Sequence, residues 1–432
     1  MSPETITGMH VPVTVDKLLD KEVDTSHLQD YNYTMAANGW CFRREKRGLL
    51  PTLMEFYYNQ RVVYKKQMLK VKQEYADTGN EELQKEISRL NNLQMAMKIL
   101  LNSAYGACGN PWFRYYDLRI AGGITISGQL SIRWIANKLN EMFNGLMKND
   151  ITDRIVLIDT DSVVLTVEDL IDKFYPNKTD EQTIRFMDRF AEDKIQPFIN
   201  KSYQELADYM NAYEQKMVMK RENLVDTMIS VSKKRYFMSV HNSEGVQYKE
   251  PKLKIMGLQM VKSSTPAVIR DKLRDSLKTI LYGSESDVQQ YCDKIKTEFH
   301  NFNPTEIAFP RSISDVAKYS DETMIFKKST PIHVRGALLY NDLLKKMKLT
   351  AQYPLIREGD KIKFLYLKTP NPIHEDVISF FDVIPPEFQL TEYVDYGKMY
   401  EKTFQDAIQN ILDSLGWTTT PQATLEDMFV YD

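Results

Sequence analysis

The sequence predicts an α+β fold. Two observations carry this. Long stretches free of glycine and proline repeat at helical spacing, above all 52–76 and 81–104. Short β-branched runs stand apart from them, at 154–167 and within 228–260.

Residues 1–49 read as irregular, with turn-rich patches such as AANGW at 36–40 and little core of their own. The opening MSPETITGMH is neither a leader nor a capped element and reads as if cut from the middle of a domain. From Pro51 to about Ala76 the pattern is helical, with proline in the first turn. DTGN (77–80) is a turn, and a second helix follows from Glu81 to about Ala104, so the two make an antiparallel helical hairpin. YGACGN and Pro111 break it, and a third helix spans 122–146. RIVLIDTDSVVLTV (154–167) reads as a β-hairpin around DTDS. Residues 186–220 look helical and 228–260 look like strands. A helix closed by Gly283 comes next, then another with Ser284 or Ser286 as N-cap. Beyond Asn301 the pattern is one of mixed loops and strands.

With 432 residues the chain is long enough for two to four domains. A net charge of −3 argues against a globally basic nucleic-acid binder, but the distribution is uneven. Residues 42–72 carry nine Lys or Arg against two Glu. A solvated basic helix face has the same composition. Cys41, Cys108 and Cys292 are scattered, without disulfide or zinc spacing, which fits a reducing compartment. No apolar run approaches the length of a membrane span.

Four patterns point to chemistry. In extended chain Asp159 and Asp161 share a face near the hairpin tip, where two carboxylates suit a hard divalent cation; Asp and Ser are equally ordinary turn residues. In KILLNSAYG (98–106), Lys98, Asn102 and Tyr105 stand at i, i+4 and i+7 and end at Gly106. A cation suits a phosphate, an aromatic suits a base, and a glycine admits close approach; a core-facing Tyr with two solvated neighbours reads the same. Arg61 and Lys65 lie at i and i+4 on the preceding helix, where the antiparallel hairpin brings them toward Lys98 as a triphosphate cradle, or leaves them as a solvated face. SKKRYF places Lys233, Lys234 and Arg235 before Tyr236 inside a strand, suited to a nucleic-acid backbone or to an edge strand in water. Together they fit phosphoryl transfer on a polynucleotide.

In this order KILLNSAYG, DTDS and KKRY, extended by ACGNPWFRYYDLR and EPKLKIMGLQMVKSSTP, resemble the family B DNA polymerases, especially the replicative enzymes of T-even-type phages. The resemblance covers nearly the whole chain. It implies a polymerase right hand lacking its N-terminal part. Palm would occupy 1–49 and 111–257, helical-hairpin fingers 50–110, and a mostly helical thumb 258–432. It implies two Mg²⁺ ions, with Asp161 a direct ligand and Asp159 a less direct one. It further implies nucleotide contacts from Arg61, Lys65, Lys98, Asn102 and Tyr105, and DNA contacts from Gly106, Lys233, Lys234, Arg235, Tyr236 and Lys262. Glu222 and Glu244 match accessory carboxylates. The tail TLEDMFVYD sets Leu425, Met428 and Phe429 at i, i+3 and i+4. Relatives end similarly and dock there on the sliding clamp; a tail packed on its own thumb is the alternative. The other partners implied are primer–template DNA, deoxynucleoside triphosphates and an N-terminal polymerase chain, in the cytoplasm of a phage-infected bacterium.

Three departures matter. Leu157 and Ile158 stand where the family has Tyr-Gly before DTDS. The fingers are shorter than in the phage relatives. The first polymerase motif, with its metal-binding aspartate, is absent; in relatives it lies just upstream of SPETI, together with the exonuclease domain. The expectation is therefore a C-terminal subunit or fragment, active only with an N-terminal chain. A non-catalytic DNA-binding subunit derived from a polymerase is the rival reading.

Overall fold

The computed structural model describes residues 1–148, 153–177, 179–321 and 324–421. They form an α+β chain of two compact units. One comprises Met1–Val225 with Val240–Lys252, the other Asp226–Ser239 with the residues from Leu253 on.

The first unit opens with β1 (Ile6–His10), α1 (Val15–Leu19), α2 (His27–Asp30), β2 (Tyr33–Met35) and β3 (Trp40–Arg43). The strands pair antiparallel in the order β1-β3-β2. This corrects the irregular, core-poor reading of 1–49: Leu18, Leu28, Met35, Cys41 and Phe42 are all buried. Strands of three to five residues joined out of order leave too short a periodicity to read. Asn211 ties the segment down. Its amide donates to the carbonyls of Leu28 and Tyr33 and its oxygen accepts from Arg44.

Two long helices follow, α3 (Leu49–Thr78) and α4 (Leu83–Cys108), joined through Gly79 at φ +71°. Helix α4 does not break at YGACGN. It continues through Tyr105 and Gly106 to Cys108, because one glycine costs a helix only about 1 kcal/mol. The pair has little core: α3 buries only Met68, and α4 only Leu90, Gln94 and Cys108. Helix α5 (Leu118–Met147) is different. Asp117 caps it, and Leu130, Ile135, Leu139 and Phe143 form the axis of the unit's core. Helix α5 packs against α4 and against the hairpin of β4 (Ile155–Asp159) and β5 (Ser162–Leu165).

Next come α6 (Glu168–Phe174), α7 (Asp180–Phe190, with a Thr179–Gln182 capping box), a π-helical turn at Ala191–Ile195, and α8 (Gln196–Tyr209). The Trp134 indole donates to the Ser202 carbonyl and locks α8 to α5. Helix stops at Tyr209, short of the expected 220. Asn211 turns the chain at φ +47° to reach the Leu28 and Tyr33 carbonyls. Strands β6 (Asn223–Ser232), β7 (Arg235–Ser243) and β8 (Val246–Met256) then form a sheet in that order.

The second unit is built on α9 (Ala267–Tyr282) and α10 (Glu285–Glu298), the latter capped by Ser284 in a capping box with Asp287. Then follow α11 (Pro304–Ile307), β9 (Phe309–Ser312), α12 (Val316–Tyr319), the two-residue strands β10 (Ser320–Asp321) and β11 (Ile325–Phe326), α13 (Ile332–Lys346), β12 (Lys361–Tyr366), β13 (Val377–Phe380), α14 (Tyr396–Tyr400) and α15 (Asp406–Leu412). Helix α13 is missing from the sequence reading. It buries most of its surface, Val334, Ala337, Leu338, Leu339, Tyr340 and Leu344 included, so its polar face is too narrow to show helical period. It lies on the β13-β12-β9 sheet at Gly336, where a Cβ would stand 2.5 Å from Ser379 Oγ. No helix among the described residues is long and apolar enough to cross a membrane.

Candidate active site

Asp159 ends β4 and pairs with Ser162, the first residue of β5. Thr160 (φ +51°) and Asp161 are the two turn residues between them. The same-face argument from extended chain therefore fails, because Asp161 lies in the turn rather than in a strand. Both carboxylates still come to the tip, now through the turn: the Asp161 amide donates to the Asp159 carbonyl at 2.5 Å, and Ser162 Oγ donates to the same oxygen. Asp161 is exposed and Asp159 half-buried. Leu157 and Ile158 do not disturb the ladder near the tip, where they face Val164 and Val163; the bulge lies farther back, between Ile155 and Leu157. Val156 and Ile158 are 55 % and 42 % exposed, so one side of β4 offers apolar surface to solvent.

Lys98, Asn102 and Tyr105 all lie exposed on one face of α4, and a Cβ on Gly106 would meet nothing within 4 Å. This face belongs to the solvent and not to the core. Arg61 reaches across from α3 to Gln94, Nε to Oε1 at 3.4 Å, so these two residues stand level across the hairpin. Lys98 is one turn from that level on α4, and Lys65 one turn the other way on α3. The three cations thus spread along about 12 Å of helix axis, at ~1.5 Å per residue. Arg61 is the closer companion of Lys98.

Lys65 is engaged elsewhere. It forms an ion pair with Glu244, the first residue of the β7–β8 turn at φ +53°. The same strand edge meets α3 again, through the Gln247 amide on Gln73 and Lys249 on the Asp77 carbonyl. The Glu244 amide donates to the Glu222 carbonyl at 2.6 Å, so the two glutamates expected as accessory carboxylates stand on adjacent chain. Burial pushes the nearby Lys72 ammonium below its ordinary value, Glu244 opposing the shift and Lys252 and Lys65 adding to it.

In the second unit Lys233 and Lys234 form the turn between β6 and β7, with Lys234 at φ +61°. This corrects the placement of KKRY within a strand; only Arg235 and Tyr236 belong to β7. Gly257 passes over this turn, and a Cβ there would lie 2.2 Å from the Lys234 carbonyl oxygen, so only glycine fits. Lys262 is exposed at the end of a 3₁₀ turn, Gln259–Val261. Leu425, Met428 and Phe429 lie outside the described residues.

Two residues escaped the sequence reading. Trp112, between α4 and α5, is 94 % exposed, beside Arg114, Tyr115 and Tyr116. Arg154, at the root of β4, is 1 % exposed and paired with Asp169. Burial of an arginine and exposure of a tryptophan both run against residue type, so hydropathy hides them.

Carboxylates at a turn are oxygen donors of the kind Mg²⁺ takes, alongside waters and substrate phosphates. Among the described residues no group of three or more His, Cys, Asp or Glu is placed to hold a metal ion. Asp161 and Asp159 are two such oxygen donors at the β4–β5 tip.

The model for DNA polymerase family B matches residues 2–174, and that for divergent family B DNA polymerases matches 144–302. Proteins named DNA-directed DNA polymerase from Enterobacteria phage T4 and Escherichia phage RB69 are 30 % and 29 % identical, over 99 % of this chain and 53 % of their own length. A protein named DNA polymerase beta from African swine fever virus is 25 % identical over 57 % of the chain and 21 % of its own length. The chain spans about half the length of the phage relatives it matches. With matches that together run from residue 2 to 302, and phage relatives aligned over almost all of it, the chain belongs to the family B DNA polymerases.

Proposed function

We propose that the chain is the C-terminal polymerase part of a DNA-directed DNA polymerase and adds deoxynucleotides to a primer when joined by an N-terminal polymerase chain. One observation carries this. Lys98, Asn102 and Tyr105 share an exposed face of α4 while Asp161 stands exposed at the β4–β5 tip, and α5 packs against both elements.

In this reading Lys98 and Arg61 neutralise the triphosphate, and Lys65 joins them on leaving Glu244. Tyr105 and Gly106 border the templating base, with open space over the glycine. Asp161 supplies carboxylate oxygen to Mg²⁺, and Asp159 supports it from the strand end. Bound Mg²⁺ would activate the primer 3′-hydroxyl and stabilise the leaving pyrophosphate. Lys233, Lys234, Arg235 and Tyr236 hold the primer backbone, and Lys262 grips the duplex. Trp112, with Arg114 and Tyr115 beside it, offers an unpaired base a stacking surface. Glu222 and Glu244 are accessory carboxylates. Helices α3 and α4 are the fingers, the thumb begins near 258, and the remainder is palm.

The N-terminal chain would add a strand with a further aspartate beside β4. The exposed Val156 and Ile158 support this. Leu425, Met428 and Phe429 would bind a sliding clamp in the infected host cell. Primer extension with the N-terminal chain, using Asp161→Ala as control, tests the proposal. A complex that binds primer–template yet never extends it would favour the DNA-binding reading.

A further inference from the structure

The root of the β4–β5 hairpin holds a polar node. Arg154 is fully buried, and its guanidinium pairs with Asp169 in the first turn of α6, whose side chain is 43 % exposed. Among the described residues, Nε and Nη2 of Arg154 have no hydrogen-bond partner. Its amide donates to Asn140 Oδ1 of α5 at 3.0 Å, and its carbonyl accepts from the Thr166 amide, just past β5, at 2.9 Å. Asn140 Nδ2 in turn donates to Asp153 Oδ1, which also accepts from the Ile155 amide. One residue thus joins both strands of the hairpin to two helices.

A buried ion pair is weak evidence of stability; its better-attested use is to fix one arrangement among several. The hairpin needs such fixing. It is a two-stranded sheet of five and four residues, with a bulge near its root and apolar surface in solvent. Two-stranded hairpins are marginal alone. Asp159 is five residues from Arg154, about 17 Å at ~3.3 Å per residue, so a tilt of roughly 3° at the root moves the tip by about 1 Å. Reacting groups must be held to within about 0.5 Å. We propose that Arg154 is a positioning residue that, through Asp169 and Asn140, sets where the β4–β5 tip places Asp161 and Asp159. This rests on the catalytic reading of the hairpin.

Arg154→Met removes the buried charge and leaves Asp169 able to take water, so the variant should fold and melt within a few degrees of the parent. Asp169→Ala leaves a buried cation without its carboxylate and should melt lower. In Arg154→Met, hydrogen exchange over 155–165 should quicken at least tenfold while 118–147 stays as in the parent. Turnover of the assembled enzyme should fall at least tenfold with the deoxynucleotide KM within threefold, because the triphosphate cations stand on other elements. Arg154→Lys should recover part of both losses. Parental turnover in folded Arg154→Met, or lost turnover with parental exchange over 155–165, would overturn the proposal. If Arg154→Met does not fold, Arg154→Lys is judged on the same two readouts, and parental values in both again overturn it. Asp161→Ala separates the two ideas: if that variant keeps turnover, the catalytic reading of the hairpin fails and not the positioning of its tip.

Discussion

Asp161 and Asp159 are two residues apart yet stand in different settings. Asp161 lies in the turn, exposed, while Asp159 closes β4 and its carbonyl organises the turn. Asp161→Ala should therefore abolish extension by the assembled enzyme with the melting temperature unchanged, and Asp159→Ala should cost less. Comparable losses in single-turnover assays would contradict the distinction. In the proposed role Lys98 meets both bound nucleotide and transition state, so its removal should lower turnover together with affinity. A charge-assisted hydrogen bond worth about 1.5–3 kcal/mol corresponds to roughly 10- to 150-fold. Unchanged single-turnover kinetics in Lys98→Ala would return that face of α4 to a solvated surface. Trp112→Ala should weaken primer–template binding, since a base stacked on an aromatic contributes about 1–3 kcal/mol; binding titrations with and without a template overhang would show it.

At the scale of elements, stability is uneven. Helices α3 and α4 carry Arg61, Lys65 and Lys98 on a pair with almost no core, whereas α5 and α13 are buried along much of their length. Gly336→Ala should destabilise the second unit by about 1–3 kcal/mol through overpacking on Ser379, read as a lower denaturation midpoint. The root of the β4–β5 hairpin responds to acid. The Arg154 guanidinium holds the Asp169 carboxyl below the ordinary carboxylate range. A carboxylate with a depressed folded value stabilises above its unfolded pKa, about 4, and loses that contribution as pH falls. The gap in melting temperature between the parent and Asp169→Asn should thus be full near pH 6 and close below about pH 4. These features differ in how far the sequence showed them. The α3–α4 hairpin, the DTDS turn and the Ser284 cap were legible because period, turn chemistry and capping are local signals. The β1-β3-β2 sheet, α13, and the pairing of Lys65 with Glu244 and of Arg154 with Asp169 were not, because they depend on residues distant in sequence or on burial that erases the period.

At the scale of the whole molecule, family membership is settled by matches along the chain, while the chain spans about half the length of its phage relatives. An added strand beside β4 would cover Val156 and Ile158, and an obligate interface of this kind should bury more than about 2,000 Å² in a stable one-to-one complex. Deleting 424–432 should reduce processivity with a sliding clamp and leave distributive extension unchanged; loss of basal extension would make the tail structural. The central claim, a catalytic hairpin completed by another polypeptide, is tested most directly by Mg²⁺-dependent primer extension with the purified chain, alone and after co-expression with an N-terminal polymerase chain. The expected result is negligible extension by the chain alone, robust extension by the complex, and none by the complex carrying Asp161→Ala. Robust extension by the chain alone, or by the Asp161→Ala complex, would contradict it.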